Sequence, residues 1–368
     1  MKLYYRNPDS GVLEFKDPEF KPGKILRWER DPETGALYDK PKEFAAESQL
    51  QALRIADPVA TNIVQGYTNP ELIGDKLFTP VKMAKESGRF PAFGKEAFVL
   101  PADMKRDVGA KVQRLQVQSG YVQQSLSEYA QGMSIENRER NEFGGTPEQL
   151  LNMKLLQVTS RIALYREKLQ AVLATTAGSY ASTNYFSGAA KKWASVGDPV
   201  SDMLQLNATV LTYNGRPGNV AWFSYGAWLL FINNTAVLNR IKYGGSPITP
   251  AQMSTRAAAE LLQVEECYVG KAVYGYSGAL GADGGVNKSA LTMAFLWDSV
   301  QANNAGILIR GTGGGIEPAF GYTWERMNSP IVESYYENQT KSQVWDYEHF
   351  FDPAVTLNTA GGLYYSLA

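Results

Sequence analysis

The feature that most constrains the fold is one long helix between Pro147 and Thr175. Thr146 suits the N-cap, Pro147 the first helical position, and Gln149 completes a capping-box pattern. Leu151, Leu155, Val158, Ile162, Tyr165, Leu169 and Val172 recur at alternating spacings of four and three, which lays one apolar stripe down the helix. Arg161, Arg166 and Lys168 fall mostly off that stripe, and Gly178 stands just past the end. At ~1.5 Å per residue the helix is roughly 40 Å long. That length suits a strut better than it suits a compact enzyme.

The segments before the strut lack cores of their own. Residues 1 to about 42 are rich in Pro and charge, with turn signals at Asp31-Pro32-Glu33-Thr34-Gly35 and Asp39-Lys40-Pro41. They read as an extended arm that needs a neighbour to lie against. A short helix is expected over Glu43 to Arg54, ended by Asp57-Pro58. Residues 71 to 83, with Leu72, Ile73, Leu77, Phe78 and Val81, read as a buried strand region. From 89 to about 120, scattered apolar residues among charges read as a long hairpin with a polar tip at 102–109. A lone two-stranded ribbon is marginal in water, so this one must lean on something else.

Beyond the strut the pattern shortens. A helix is expected over Val200 to Leu211, a strand at 220–223, helices at 225–232 and 255–262, and strands at 266–273 and 291–297. Together these form a separate α+β unit. The last fifty residues are nearly all strand-like, at 320–325, 331–336, 342–351 and 363–366. No repeat of fixed period is present.

Composition narrows the chemistry. The 368 residues carry 36 basic and 37 acidic side chains, a net charge of −1, which argues against a dedicated nucleic-acid binder. No stretch approaches the ~18 apolar residues of a membrane span, and the N-terminus lacks the apolar core of a signal peptide, so a cytosolic product without a membrane partner is expected. Cys267 is the only cysteine, so no intramolecular disulfide can form. It reads as a small buried hydrophobe. His349 is the only histidine, too few for a zinc site or more than one triad, and it reads as structural. Gly311-Thr312-Gly313-Gly314-Gly315 lacks the Gly-Lys-Ser/Thr ending of a phosphate loop, and Gly275-Tyr276-Ser277-Gly278 lacks the second glycine of a nucleophile elbow. Acidic pairs such as Glu333/Glu337 and Asp346/Glu348 read as solvated charges, although a glycosidase needs only two carboxylates. The inventory points to no cofactor, no metal and no catalysis.

The order of several short segments resembles the major capsid proteins of tailed phages, which share the Hong Kong 97-type fold. These segments are 56–67 (Ala56-Asp57-Pro58 onward), Leu77-Phe78-Thr79-Pro80-Val81-Lys82-Met83, Ser87-Gly88-Arg89-Phe90, Asp198-Pro199-Val200-Ser201-Asp202-Met203 and Gly215-Arg216-Pro217-Gly218-Asn219-Val220. Near the end come 317–324, from Glu317-Pro318, and Thr359-Ala360-Gly361-Gly362-Leu363-Tyr364-Tyr365. The resemblance runs from about Ala56 to Leu367. Each piece alone is weak, and their joint order carries the match.

By this resemblance the fold is α+β, with an N-terminal arm (1–67), an extended loop (84–125), an axial domain (200–317) and a discontinuous peripheral domain (68–83, 126–199 with the spine helix 147–175, and 318–368). It implies a virion shell of pentamers and hexamers, assembled in the host cytoplasm. Partners would be a separate scaffolding protein, a portal, a decoration protein and packaged double-stranded DNA held without sequence-specific contacts. At the loop tip, Asp103, Lys105, Arg106 and Asp107 are the expected inter-subunit contacts. Two rival readings stand beside it: an encapsulin-like nanocompartment shell of the same fold, and a carbohydrate-active enzyme with aromatic-lined strands.

Overall fold

The computed structural model describes residues 4–6, 13–15, 26–30, 37–41, 55–67, 69–92, 105, 108, 111, 120–188, 191–194, 197–243, 253–276, 292–315 and 317–367. The chain divides into two units, one of residues 1–55 with Ser334–Tyr336, the other holding the remainder. In the first, the described strands form two antiparallel ribbons, Tyr4–Arg6 with Leu13–Phe15 and Leu26–Arg30 with Leu37–Pro41. The helix expected over Glu43 to Arg54 lies outside the described residues.

The second unit is built around the spine helix, Pro147–Thr175. Its start follows from local chemistry. Thr146 Oγ1 accepts the Gln149 N–H at 3.4 Å, while Gln149 Oε1 accepts the Thr146 N–H at 3.1 Å. Its first half buries Leu155, Val158 and Ile162 against Ala60, Val64, Val332, Tyr347 and Phe351. The stripe read from spacing then fails. Tyr165 is 44% exposed, and the buried face moves to Arg166, Glu167, Gln170, Ala171 and Ala174. Arg166, expected off the buried stripe, is only 7% exposed. Apolar spacing located the contact where the neighbour is apolar, and it misread the turns where the neighbour supplies hydrogen-bond partners.

One sheet beside the helix is centred on the long strand Ser342–Val355. This strand pairs antiparallel with Ser127–Glu136, from Ser342↔Glu136 to Phe351↔Ser127, and with Gly321–Arg326 over 351–355. Gly321–Arg326 in turn runs parallel to Thr79–Met83. The expected strand over 71–83 is therefore shorter than its apolar run: Gly74–Leu77 is a helical turn, and only Thr79–Met83 is strand. Hydrophobic content marked burial there without specifying the period.

A second sheet has five strands in the order Tyr185–Ser187, Gly361–Tyr365, Ala305–Leu308, Val220–Ser224, Glu266–Gly270. Val220–Ser224 is buried at all five positions, as a strand covered on both faces must be. Gly306 is required by close approach: a Cβ there would stand 2.5 Å from Trp222 Nε1 and 2.8 Å from the Gly362 carbonyl. Gly361–Tyr365, expected with the peripheral strands of 318–368, instead pairs antiparallel with Ala305–Leu308 in this sheet. Helix Pro199–Asn214 covers it, capped by the Asp198 carboxylate and closed by Gly215 in the left-handed region at φ 65°. Helices Tyr225–Asn233 and Thr255–Leu262 form where expected, whereas Thr235–Tyr243 had no counterpart in the sequence reading.

Candidate functional site

The C-terminal half of the spine helix builds a buried polar clamp. Arg166 Nη1 pairs with Glu325, and Arg166 Nε donates to Asp75 Oδ1 at 2.8 Å. Glu325 also pairs with Lys82, whose ammonium donates to the Ser329 carbonyl at 3.2 Å. One turn on, Gln170 Nε2 donates to Asp75 Oδ1 at 2.7 Å and to Thr323 Oγ1 at 2.8 Å. The Glu167 carboxylate accepts three N–H groups, from Ile73 at 2.9 Å, Gly74 at 2.7 Å and Trp297 Nε1 at 2.8 Å. Gly74 leaves room for this approach, since a Cβ would stand 1.9 Å from Gln170 Oε1 and 2.6 Å from Glu167 Oε2 and would push both side chains off their bonds. The clamp thus ties the helix to the 73–75 turn, to both parallel strands and to Trp297.

Electrostatics follow from burial and pairing. Burial opposes the Arg166 charge, but Asp75 and Glu325 outweigh it and hold the pKa above its ordinary value. Burial likewise pushes the Glu325 carboxyl up, and Arg166 and Lys82 bring it below the usual range. Among the described residues Glu167 pairs with no cation. Burial lifts its carboxyl to about 7, with the three N–H donors offsetting only part of the effect.

Beside the clamp lies a cleft of about 520 Å³, lined by Arg166, Glu325, Lys82, Tyr347 and His349 among others. His349 is 7% exposed, sits edge-on to Phe351 at 4.8 Å, and has the Tyr347 hydroxyl 3.3 Å from Nδ1. Burial, then Arg166, brings its pKa down to about 4, so the ring is neutral at physiological pH. Cys267 is buried, and burial pushes its thiol up to about 12, the opposite of an activated thiolate.

The outer surface carries apolar groups that the subunit leaves in water. The ribbon of Val273–Tyr276 and Thr292–Phe295 places Val273, Met293 and Phe295 on one face, 42%, 56% and 38% exposed. A second ribbon pairs Ser87–Ala92 with Gly120–Ser125. Its base is fixed by Phe90 stacked on Trp324 at 3.9 Å, while Tyr121 is 71% exposed. Of the four loop-tip residues expected to make contacts, Lys105 is exposed; Asp103, Arg106 and Asp107 lie outside the described residues. The sequence reading missed Asp75, Lys82, Arg166, Glu167, Gln170 and Glu325 as a group. No local signal marks the group, since Arg166, Glu167 and Gln170 read as ordinary solvated helix positions.

No family model matches the chain. The major capsid protein of Burkholderia phage BcepMu is 31% identical over 298 residues, spanning 79% of this chain and 90% of that protein. Among solved structures, a phage-related protein from Bordetella bronchiseptica RB50 superposes with a TM-score of 0.66 at 22% identity, over 85% of this chain and 98% of the other. The capsid of cyanophage P-SCSP1u gives 0.52 at 13% identity, over 78% and 86%. These two likenesses are of fold.

Proposed function

Because the chain belongs to the family of phage major capsid proteins, we propose that its copies close into an icosahedral shell of pentamers and hexamers around double-stranded DNA. The fold is the α+β Hong Kong 97-type capsid fold, the protein self-assembles, and its place is the virion shell. The observation that carries the reading is the 31% identity to a virion protein over 298 residues. That relative favours a virion over a cellular nanocompartment.

In this reading the arm (1–67) and the extended loop (84–125) reach neighbouring copies, and the axial domain (200–317) surrounds the symmetry centres. Such obligate contacts commonly bury roughly 2,000 Å² or more. Exposed Tyr121, Met293 and Phe295 are the kind of surface that a neighbouring copy covers. A separate scaffolding protein, a portal and a decoration protein complete the particle, which assembles in the host cytoplasm. The near-neutral charge supports a DNA-facing surface without sequence-specific grip. The chain performs no catalysis; the neutral, buried His349 and the unactivated Cys267 support this.

The experiment is expression of the chain alone and with a scaffolding protein from the same genome, imaged by electron microscopy. Closed, uniform shells are expected; discrete small oligomers under both conditions, with hydrolase activity, would overturn the reading. The contacts proposed at Asp103, Lys105, Arg106 and Asp107 are tested by Lys105→Glu with Arg106→Glu. Sedimentation should show folded subunits that join poorly, and shells at normal yield would remove these residues from the interface.

A further inference from the structure

Beside Gly74, two buried acceptor oxygens crowd the same small space. A Cβ on that glycine would stand 1.9 Å from Gln170 Oε1 and 2.6 Å from Glu167 Oε2, so both oxygens press on one point. Glu167 is 2% exposed and Gln170 1%. Gln170 cannot turn its amide round, because Nε2 is spent on Asp75 Oδ1 and Thr323 Oγ1. Among the described residues no donor reaches its Oε1. Two adjacent acceptors in a dry interior are unfavourable unless a proton lies between them. The carboxyl's other bonds place that proton. Oε1 accepts two N–H groups, from Ile73 at 2.9 Å and Trp297 Nε1 at 2.8 Å, whereas Oε2 accepts only the Gly74 N–H at 2.7 Å. Oε2 is the oxygen with room for a proton, and it is the one beside Gln170.

From this geometry we infer that Glu167 and Gln170 share a proton that works as a latch. With the proton in place, Oε2–H donates to Gln170 Oε1 and the hold on the Gly74 N–H weakens. Once it leaves, the carboxylate grips all three N–H groups through charge-assisted bonds, which are roughly twice as strong as neutral ones. The charged neighbours are otherwise engaged. On the helix, Arg166 turns to Asp75 and Glu325, and Lys168 lies over the Tyr274 ring at 5.8 Å. On the turn, Lys76 reaches the Pro70 carbonyl and the Tyr268 ring. Past Trp297, Asp298 takes the Asn303 N–H. Asp75 faces Glu167 with a like charge, which favours protonation in the same direction as burial. The gripped turn carries Asp75 into the Arg166 clamp, and Trp297 follows the strand that bears Met293 and Phe295. One proton thus acts on both the spine and the base of the exposed ribbon. The latch does not depend on the shell reading.

Ile-Gly occurs once in the chain, at Ile73-Gly74, so ¹³C-carbonyl isoleucine with ¹⁵N-glycine isolates the Gly74 amide. In the unassembled subunit its proton resonance should move downfield as pH rises from about 5 to about 8, with a midpoint near 7, as a charged acceptor replaces a neutral one. Glu167→Gln, whose amide can donate to Gln170 at every pH, should hold the resonance at its low-pH position. Gln170→Met removes the proton's acceptor, and the midpoint should fall by about one pH unit, a tenfold loss of proton affinity. A Gly74 resonance that does not titrate in the native chain would overturn the inference without appeal to any variant. So would a titration that survives Glu167→Gln, which would assign it to another group. A midpoint that Gln170→Met leaves in place would show that the proton is not shared.

Discussion

The two halves of the spine helix bury surfaces of opposite character. Leu155, Val158 and Ile162 meet Tyr347, Phe351 and Val332 through apolar contact alone. Arg166, Glu167 and Gln170 meet Asp75, Glu325, Thr323 and Trp297 through directed bonds. Apolar packing is non-directional and tolerates swaps of similar volume, whereas each buried donor or charge must find its own partner. The first half therefore supplies adhesion, and the second fixes where along the sheet the helix sits. A shell subunit needs both, because an error in register would move every surface mounted on the body.

Arg166→Ala should break this contrast most severely. It leaves Glu325, which is 5% exposed, with the half-exposed Lys82 alone as its cation, and a loss of about 3 kcal/mol is expected in urea unfolding of the unassembled subunit. Arg166→Met combined with Glu325→Met should recover much of that loss, since a buried pair replaced by apolar residues is often neutral. If the double variant is no better than the single one, unpaired charge is not what the polar half controls. Leu155→Ala, at 1% exposure, should cost about 2–5 kcal/mol by leaving a cavity. No charge change on the other half should rescue it.

Glu167 sharpens the comparison through pH. Its folded pKa of about 7 stands above the ordinary value of 4.5. The folded state therefore holds the proton more tightly, and this contribution to stability is full below about pH 4.5 and lost as pH rises through 7. Glu167→Gln removes that dependence. The stability of the variant relative to the native chain should rise between pH 5 and pH 8, by about 3 kcal/mol at most. Chemical denaturation at the two pH values measures it, and a constant difference would show that Glu167 is ionised throughout, held by its three N–H donors.

What the sequence made legible follows the same division. The cap at Thr146, the apolar half of the spine and Val220–Ser224 with its flanking helices could be read because local chemistry and period specify them. The polar half could not, since Arg166 and Glu167 look like solvated helix charges until Asp75 and Glu325, 91 and 159 residues away in sequence, arrive opposite them. Gly74–Leu77 was lost inside an apolar run for a related reason: its helical turn is held partly by Glu167 from across the fold. The place of Gly361–Tyr365 depends on a pairing with Ala305–Leu308 that no local pattern announces.

The smallest effect is expected where the helix begins. Thr146 is exposed, and its side chain accepts the Gln149 N–H at the long distance of 3.4 Å, in water that can replace it. Thr146→Ala should cost about 1 kcal/mol or less, felt as fraying of the first turn rather than as loss of the fold. Hydrogen exchange should quicken at the amides of Glu148 to Leu150 and stay unchanged at Ile73 and Gly74, which Glu167 holds. The apolar contacts of Leu155 intervene between the two sites and are indifferent to small shifts of the end turn. If exchange at Ile73 and Gly74 rises as well, disturbance travels the length of the helix. The two halves would then act as one rigid lever, and the division between adhesion and register would fail.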